Sequence, residues 1–282
     1  MSQSFENKVD NSADSEKEIN PPPVYERDYD MQPLRLKGKV AIITGGDSGI
    51  GRAVAVHFAR EGADVAIVFR SSDEDAEETK KLIEQKGRKA LLIKKDISTE
   101  ANCIEAIETT VKTFSKLDIV VNNAAVQYPQ DNLEDITEEQ LDKTFRVNAY
   151  SYFFMCKAAL KHLKSGSAIV NNASVNAYRG NKDLIDYSST KGAVIAFTRS
   201  LAASLAEKNI RVNAVAPGPI WTPLVASTFT GPELGDFGKE TPMKRPGQPA
   251  EVATCFVFLA SDDASYITGQ ALHPNGGTIL NT

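Results

Sequence analysis

The sequence has few of the residues that build metal and disulfide sites. Among 282 residues there are three cysteines, Cys103, Cys156 and Cys255, and three scattered histidines. An odd number of widely separated cysteines predicts free thiols in a reducing compartment. No cysteine and histidine group has the spacing of a zinc site, which argues against a zinc-dependent dehydrogenase. We therefore expect no metal in this protein.

Long apolar runs are also missing. No run approaches the roughly 20 residues that a membrane helix needs, and the N-terminus lacks the charged-then-apolar pattern of a signal peptide. We expect a cytoplasmic protein without a membrane partner. With 41% hydrophobic residues, a chain of this length can bury a full core and is near the upper size of one domain.

Net charge is absent from most of the chain. Residues 1–32 carry eight acidic and three basic residues, and this excess of five acids equals the formal net charge of −5. Residues 33–282 are therefore neutral, which argues against nucleic acid as a partner. The leader is polar and ends in prolines and tyrosines, so residues 1–36 are predicted to be an N-terminal extension, partly disordered or an arm.

A glycine-rich turn joins the first apolar run to the first amphipathic segment. Residues 44–51 read Thr-Gly-Gly-Asp-Ser-Gly-Ile-Gly, after a predicted strand and before a predicted helix. Glycines here permit a sharp turn, close approach of a ligand and close packing of the helix on its strand. The first N–H groups of the helix and its dipole favour a phosphate. A glycine loop without a ligand is the alternative interpretation.

Apolar runs alternate with amphipathic segments along the rest of the chain. The predicted strands are Val40–Ile43, Ala63–Phe69, Ala90–Ile93, Ile119–Val121, Ala168–Val170, Ile210–Ala216 and Gln270–Leu272. The predicted helices run from Ile50 to Gly62, from Asp73 to Lys86, from a cap at Ser98 to Phe114, from a capping box at Thr137 to Leu163, from Ser188 to Lys208 and from Pro249 to Leu259. This alternation predicts an α/β, single-domain, doubly wound Rossmann fold over residues 37–282, with a seven-stranded parallel sheet and helices on both faces.

A phenol and an ammonium lie four residues apart at Tyr187 and Lys191, which places them on one face of a helix. Ser174 stands at the end of the fifth predicted strand, where the carboxyl ends of a parallel sheet line a ligand crevice. A lysine charge favours the phenolate, which would bring a tyrosine toward general acid or base chemistry near neutrality. An ordinary surface pair is the alternative, but the serine and the glycine turn favour one shared site.

Together these motifs resemble the short-chain dehydrogenase/reductase family in its single-domain form. The matching elements span residues 36–282 and are the turn at residues 44–51, Asp96, Asn122-Asn123-Ala124-Ala125, Asn148, Ser174, Tyr187, Lys191 and Pro217-Gly218. Ala125 departs from the family's usual glycine. The three residues between Tyr187 and Lys191 disfavour the enoyl-reductase variant, which separates its pair more widely. The arm, residues 127–130 and residues 219–223 look similar to general-stress or glucose/ribitol-dehydrogenase-like proteins.

The resemblance implies an NAD(P)-dependent oxidoreductase that moves a hydride between nicotinamide and a carbonyl or alcohol. Tyr187 would exchange the proton, Ser174 would hold the substrate oxygen, Lys191 would lower the Tyr187 pKa and bind the nicotinamide ribose, and Asn148 would anchor a proton relay. The implied cofactor-binding residues are Gly45, Asp47, Ser48, Gly49, Ile50, Gly51, Arg70, Asp96, Ile97, Asn123, Ala124, Tyr187, Lys191, Pro217, Gly218, Ile220 and Thr222. The alternatives are an acid at a helix N-terminus for Asp96 and a buried structural amide for Asn148.

The end of the second strand predicts the choice of cofactor. Dinucleotide folds that take NAD place an acid there, whereas this chain has Phe69 followed by Arg70. A guanidinium matches a 2′-phosphate, so we predict NADP, with NAD as the alternative. Arg70 is alternatively a solvated charge, or one that Asp73, Glu74 or Asp75 neutralises.

Residues 217–248 are rich in proline and glycine, lack periodicity and are predicted to be a substrate loop. Their lining does not choose between carbonyl, alcohol, sugar and polyol substrates. The resemblance also implies a homotetramer, built on apolar residues of the long helices, namely Phe145, Tyr152, Phe153, Ala193, Phe197 and Leu201. A non-catalytic, dinucleotide-binding stress protein is the alternative function.

Overall fold

The computed structural model describes residues 34–228 and 236–280. Within them, seven parallel strands form one sheet in the order β3-β2-β1-β4-β5-β6-β7. The strands are β1 Val40–Thr44, β2 Asp64–Phe69, β3 Ala90–Lys94, β4 Ile119–Asn122, β5 Ala168–Asn172, β6 Arg211–Val215 and β7 Ala271–Leu272. The predicted doubly wound Rossmann fold is confirmed. The strand order reverses between β1 and β4, and such a switch point opens a crevice at the carboxyl ends of the strands.

Helices connect successive strands across both faces of the sheet. They are α1 Gly49–Arg60, α2 Asp73–Glu84, α3 Glu100–Phe114, α4 Glu138–Phe145, α5 Ser151–Ala159, α6 Asn176–Arg179, α7 Ile185–Leu205, α8 Pro223–Thr228 and α9 Pro249–Ala260. No helix of the described residues is long and apolar enough to cross a membrane.

The strands are apolar throughout because each face of the sheet has its own core. Ile43 of β1 packs in a core with Phe58 of α1 and Phe256 of α9. The adjacent residue, Ile42, points to the opposite face and packs with Ile107 of α3 and others from α5 and α7. Successive strand side chains point to opposite faces, so two buried faces require a continuous apolar run.

Two predicted helix boundaries are wrong. Thr99, rather than Ser98, caps α3, because its hydroxyl accepts a hydrogen bond from the Asn102 N–H at 3.4 Å. The helix predicted over residues 137–163 is interrupted by a π-helical turn, Arg146–Tyr150, and α5 ends at Ala159.

The start of the described chain already belongs to the folded body. Leu36 is fully buried, and the Arg35 guanidinium pairs with the Glu61 carboxylate at 2.8 Å. Most of the predicted extension, residues 1–33, lies outside the described residues, and so do residues 229–235 of the predicted substrate loop.

The apolar residues predicted for an interface divide into two groups. Tyr152 is completely buried in the core between α5 and the sheet, so its assignment to an interface is wrong. Phe153, by contrast, is 51% exposed and packs against Phe197 with ring centroids 3.9 Å apart. A helix that changes register through a π-helical turn presents residues that straight helical spacing would not predict.

Candidate active site

A cleft of about 770 Å³ lies at the carboxyl ends of the strands. It brings together residues that are far apart in the sequence, from the glycine turn, the ends of β2, β4 and β5, the start of α7 and the substrate loop. The predicted residues that line it are Gly45, Asp47, Ser48, Gly49, Ile50, Arg70, Asp96, Ile97, Asn123, Ala124, Ser174, Tyr187, Lys191, Pro217, Gly218, Ile220 and Thr222. Gly51 and Asn148 do not line it.

The glycine turn requires glycine at two kinds of position. Gly45 and Gly49 have φ angles of +62° and +52°, in the left-handed region that favours glycine. At Gly51 an added Cβ would lie 1.9 Å from the Gly45 carbonyl oxygen. Gly51 therefore lets α1 pack closely against the turn, and it does not itself line the cleft.

The N-terminus of α1 meets the chemical needs of a pyrophosphate. Its N-cap, Ser48, makes no side-chain hydrogen bond to the helix, and the first turn of α1 contains no acid. Its backbone N–H groups and its dipole thus favour an anion in the cleft. Asp47 also lines the cleft, where burial raises the pKa of its carboxyl. The residues present fit the phosphates of a dinucleotide.

The outer end of the cleft holds a free guanidinium. Arg70 is exposed and lines the cleft, and it makes no ion pair within the part of the chain that the structure describes. Nearby acids are engaged elsewhere. Asp75 pairs with Arg52 at 2.8 Å and accepts from the Ser72 hydroxyl, while Asp73 pairs with Lys94. The neutralisation of Arg70 that the sequence left open does not occur through these two acids.

Asp96 precedes the N-cap of α3 by three residues. It lines the cleft beside Ile97, and one carboxylate oxygen accepts a hydrogen bond from the Ser98 N–H at 2.9 Å. This local bond orders the chain ahead of α3, whose N-cap is Thr99. The same side chain remains at the cleft wall.

Asparagine side chains form hydrogen bonds between the strand ends at the floor of the cleft. Asn123 donates from Nδ2 to the Thr44 and Gly45 carbonyls at 2.9 and 3.0 Å. Asn172, at the end of β5, donates to the Asn123 Oδ1 at 2.9 Å. These bonds hold the ends of β1, β4 and β5 where the strands part.

Tyr187 and Ser174 meet at the inner end of the cleft. Burial raises the pKa of the Tyr187 phenol to about 12, and a hydrogen bond with Ser174 opposes that rise. The Ser174 hydroxyl also accepts from the Asn176 N–H at 3.1 Å, which orients it at the start of α6. A phenol and a hydroxyl therefore converge on one point of the cleft.

Lys191 is almost completely buried beneath them. It is 1% exposed, and its Nζ donates to the Asn172 carbonyl at 2.7 Å and to the Tyr152 hydroxyl at 3.4 Å. Nζ also lies 5.5 Å from the centre of the Tyr187 ring. Burial lowers the pKa of the Lys191 ammonium to about 7. The expected lowering of the Tyr187 pKa by Lys191 is not found, because desolvation disfavours both charged forms.

Asn148 lies behind this group, in the π-helical turn. Its Oδ1 accepts from the Val126 N–H, and its Nδ2 donates to the Val126 carbonyl, both at 2.8 Å. Nδ2 also lies 3.3 Å from the Thr190 hydroxyl. The side chain acts as the structural amide that the sequence left open, and it fixes the loop after β4 against α7.

Comparison with known proteins identifies the family of this chain. Residues 45–278 match the family model described as enoyl-(acyl carrier protein) reductase. The chain belongs to the short-chain dehydrogenase/reductase family. Its relatives include general stress protein 39 of Bacillus subtilis, 57% identical over 95% of this chain and 93% of that protein. They also include glucose and ribitol dehydrogenase of Daucus carota, 50% identical over 93% and 92%, and NADPH-dependent aldehyde reductase 1 of Arabidopsis thaliana, 51% identical over 89% and 90%.

Solved structures of this family agree in fold. A short-chain dehydrogenase from Burkholderia cenocepacia in complex with NADP has a TM-score of 0.82, with 33% identity, covering 86% of this chain and 98% of that one. A 3-ketoacyl-(acyl-carrier-protein) reductase from Brucella melitensis complexed with NADH has a TM-score of 0.79, with 38% identity and the same coverage. The protein is an NAD(P)-dependent oxidoreductase, and a purely non-catalytic role is not favoured.

Several residues that line the cleft or hold Lys191 were assigned no site role in the sequence analysis. Asn172 and Tyr152 hold Lys191, Asp75 lines the outer end, and Gln127 lines the substrate end. A signal for Asn172 was available, because asparagine pairs end both β4 and β5 at adjacent positions. For Tyr152 there was no such signal, since a buried tyrosine on an apolar helix is typical of any core.

Proposed function

We propose that this enzyme prefers NADP and interconverts a carbonyl and an alcohol on a small polar substrate, with Tyr187 as the general acid and base. The observation that carries the proposal is the convergence of Tyr187 and Ser174 above Lys191, in the same cleft that the glycine turn lines. Nicotinamide, when bound, supplies or accepts the hydride.

Each side chain has a separate task at the substrate oxygen. The Tyr187 hydroxyl transfers the proton to that oxygen or takes it away. The Ser174 hydroxyl donates a hydrogen bond that orients and polarises it. Lys191, held by the Asn172 carbonyl, places an ammonium below the phenol and at the ribose side of the cleft. Asn148 supports this group from behind, and we keep its link to a proton relay as a proposal.

The preference for NADP rests on Arg70. Its guanidinium is free of the neighbouring acids Asp73 and Asp75, which are paired with Lys94 and Arg52. Phe69 replaces the acid that would accept hydrogen bonds from a ribose 2′-hydroxyl. Solved structures of relatives contain both kinds of cofactor, because one complex holds NADP and another holds NADH.

The substrate end of the cleft favours a hydroxylated molecule. Gln127, Asn176, Arg179 and Asn181 line it with amide and guanidinium groups, together with the apolar Leu184 and Val225. Relatives carry the names glucose and ribitol dehydrogenase and aldehyde reductase. Sugars, polyols and small aldehydes are therefore the substrates that we propose. We propose the described parts of the substrate loop, residues 217–228 and 236–248, as the wall that selects among them.

We further propose a homotetramer in the cytoplasm. Phe153 is 51% exposed and packs on the partly buried Phe197, and Tyr150 of the π-helical turn and Leu141 of α4 are each 43% exposed. An apolar patch of this kind marks an interface more often than free surface. Phe153→Asp should lower the mass found by sedimentation at micromolar protein, whereas an unchanged mass would place the interface elsewhere.

The experiment that tests the function is turnover on a panel of aldehydes, ketones, sugars and polyols with both cofactors. We expect a higher kcat/KM with NADP than with NAD. The double variant Phe69→Asp, Arg70→Ala should move that preference toward NAD. A wild-type enzyme that favours NAD, or a double variant with an unchanged ratio, would show that the end of β2 does not select the cofactor.

A further inference from the structure

A buried carboxylate stands directly before the proposed acid and base, and the mechanism above leaves it unused. Asp186 is 2% exposed and does not line the cleft. Within the described residues it has no basic partner. A buried carboxylate is costly unless hydrogen bonds replace its lost water. Asp186 therefore has to be explained by the donors around it.

Three donors satisfy this carboxylate. Its Oδ1 accepts from the Tyr187 N–H at 2.7 Å, in the first turn of α7, where the helix dipole favours an acid. Its Oδ2 accepts from the Thr144 hydroxyl at 2.8 Å and from the Gln140 Nε2 at 3.1 Å. Thr144 and Gln140 belong to α4, so one carboxylate joins the start of α7 to another helix.

Gln140 carries the connection to a wall of the cleft. Its Nε2 also lies 3.3 Å from the Tyr128 carbonyl, and its Oε1 accepts from the Gln130 Nε2 at 2.6 Å. The Gln130 N–H in turn donates to the Asp183 carbonyl, three residues before Asp186, at 3.0 Å. The loop of residues 127–130 is thus fixed to the segment that leads into α7.

This loop faces the substrate end of the cleft. Gln127 lines the cleft, and its Nε2 donates to the Thr228 hydroxyl of α8 at 3.0 Å. Tyr187 lines the same cleft from α7. A substrate between them has its reacting oxygen at Tyr187 and its remainder near Gln127. The relative position of these two walls depends on the bonds that meet at Asp186.

We propose that Asp186 is a positioning residue, whose buried carboxylate ties Tyr187 to α4 and, through Gln140, to the loop at residues 127–130. This inference rests on the proposed role of Tyr187. Displacement of a reacting group by about 1 Å can cost about 10²-fold in rate, so a small shift of α7 is enough to matter. Asp186 acts through Tyr187 and touches neither substrate nor cofactor.

Asp186→Asn is the informative variant because it keeps the size of the side chain and changes its chemistry. An asparagine can still accept from the Tyr187 N–H through its oxygen. Its NH₂ group then faces the Gln140 Nε2, which can only donate, whereas the Thr144 hydroxyl can turn its proton to the Gln140 carbonyl, 2.8 Å away, and accept. Gln140→Glu restores an acceptor opposite that NH₂ group. In the double variant the amide is therefore at position 186 and the carboxylate at position 140, the reverse of the wild-type arrangement.

The experiment measures kcat, KM, the NADP Kd by fluorescence and the unfolding midpoint for each variant. Asp186→Asn should lower kcat by about 10-fold or more, with the NADP Kd within about twofold of wild type. Asp186→Asn with Gln140→Glu should recover at least about half of the loss on a logarithmic scale. Asp183→Asn is the matched control, because its side chain is 46% exposed and makes none of these bonds, while its backbone carbonyl, which accepts from Gln130, is unchanged; its kcat should equal that of wild type.

Two outcomes would overturn the inference. One is an Asp186→Asn enzyme with wild-type kcat, and the other is a double variant that recovers the unfolding midpoint without recovering kcat. If Asp186→Asn does not fold, Thr144→Val removes one donor only and should lower kcat about threefold with an unchanged NADP Kd. An unchanged kcat there also contradicts the proposal. Tyr187→Phe separates this test from the function itself, because an active Tyr187→Phe enzyme rejects the proposed function.

Discussion

The inner and outer ends of the cleft differ in how they treat charge. At the inner end, Lys191 is buried and Tyr187 is half-buried, and desolvation moves the pKa of each away from its ordinary value. At the outer end, Arg70 is exposed, and the side chain of Asp75 is 48% exposed. Water and salt screen charges at the outer end but not at the inner one. The inner end is suited to proton transfer, and the outer end to selection between ligands.

This contrast predicts different kinetic effects at the two ends. Substitutions at the inner end should change kcat, because they alter groups near the reacting oxygen. Substitutions at the outer end should change the cofactor KM and its selectivity with little effect on kcat.

Tyr187→Phe should have the largest effect. General acid and base catalysis contributes about 10²- to 10⁴-fold, so kcat should fall by about that factor. The NADP Kd should stay within about twofold, since the ring still fills its place. Tyr150→Phe, on an exposed tyrosine of the π-helical turn, is the control and should keep full activity. Substantial turnover by Tyr187→Phe would place the acid and base elsewhere.

Lys191→Met should lower kcat and cofactor affinity together, each by about 10-fold or more. The ammonium lies below the Tyr187 ring and also lines the cleft, so one substitution removes two interactions. Steady-state kinetics and NADP titration measure both quantities. A loss confined to kcat would show that Lys191 serves Tyr187 alone.

The free energy of unfolding should rise with pH because Lys191 is buried at the inner end of the cleft. The Lys191 pKa is about 7 in the folded protein, against 10.5 for the ordinary group. The unfolded chain therefore binds more protons between these values, and the free energy of unfolding increases with pH in that window. From pH 7 to pH 9 the gain should be about 2 kcal/mol, and Lys191→Met should lack it. Urea unfolding at both pH values, with the cofactor removed, measures the difference, and equal slopes for both proteins would contradict it.

Arg70→Ala should have the smallest effect and the most selective one. A hydrogen bond to a charged group contributes about 1.5–3 kcal/mol, and exposure reduces that value here. The kcat/KM with NADP should fall about 10-fold, while the value with NAD stays nearly constant. Lys81→Ala is the matched control, because Lys81 is an exposed cation of α2 that pairs with Glu78 and lies outside the cleft. An equal loss with both cofactors would remove Arg70 as the selector.

Sequence patterns were sufficient for the sheet and for the position of the cleft. Continuous apolar runs identify strands with two buried faces, and the glycine turn with Ser174 identifies the edge where they end. The π-helical turn at Arg146–Tyr150 was not predictable, since the apolar spacing on either side continues without a gap. It turns Tyr152 into the core beside Lys191, where helical spacing had placed it at an interface.

The pKa values at the inner end were beyond sequence analysis for another reason. Proximity of Tyr187 and Lys191 in the sequence predicts mutual stabilisation of their charged forms. Desolvation depends on everything that covers the pair, including the end of β5 and α5. Desolvation is therefore a property of the whole fold. It raises the pKa of Tyr187, whereas a neighbouring lysine charge would lower it.

The asparagine bonds across the cleft floor bear on the thermodynamics of binding. Asn123 and Asn172 fasten the ends of three strands through contacts that involve no ligand. The surface that receives a dinucleotide therefore exists before binding, and little backbone entropy is lost when it is covered. The hydrogen bonds of Asn123 and Asn172 should keep the floor of the cleft rigid. Loss of conformational entropy on binding should then be confined to the chain segments that border the floor.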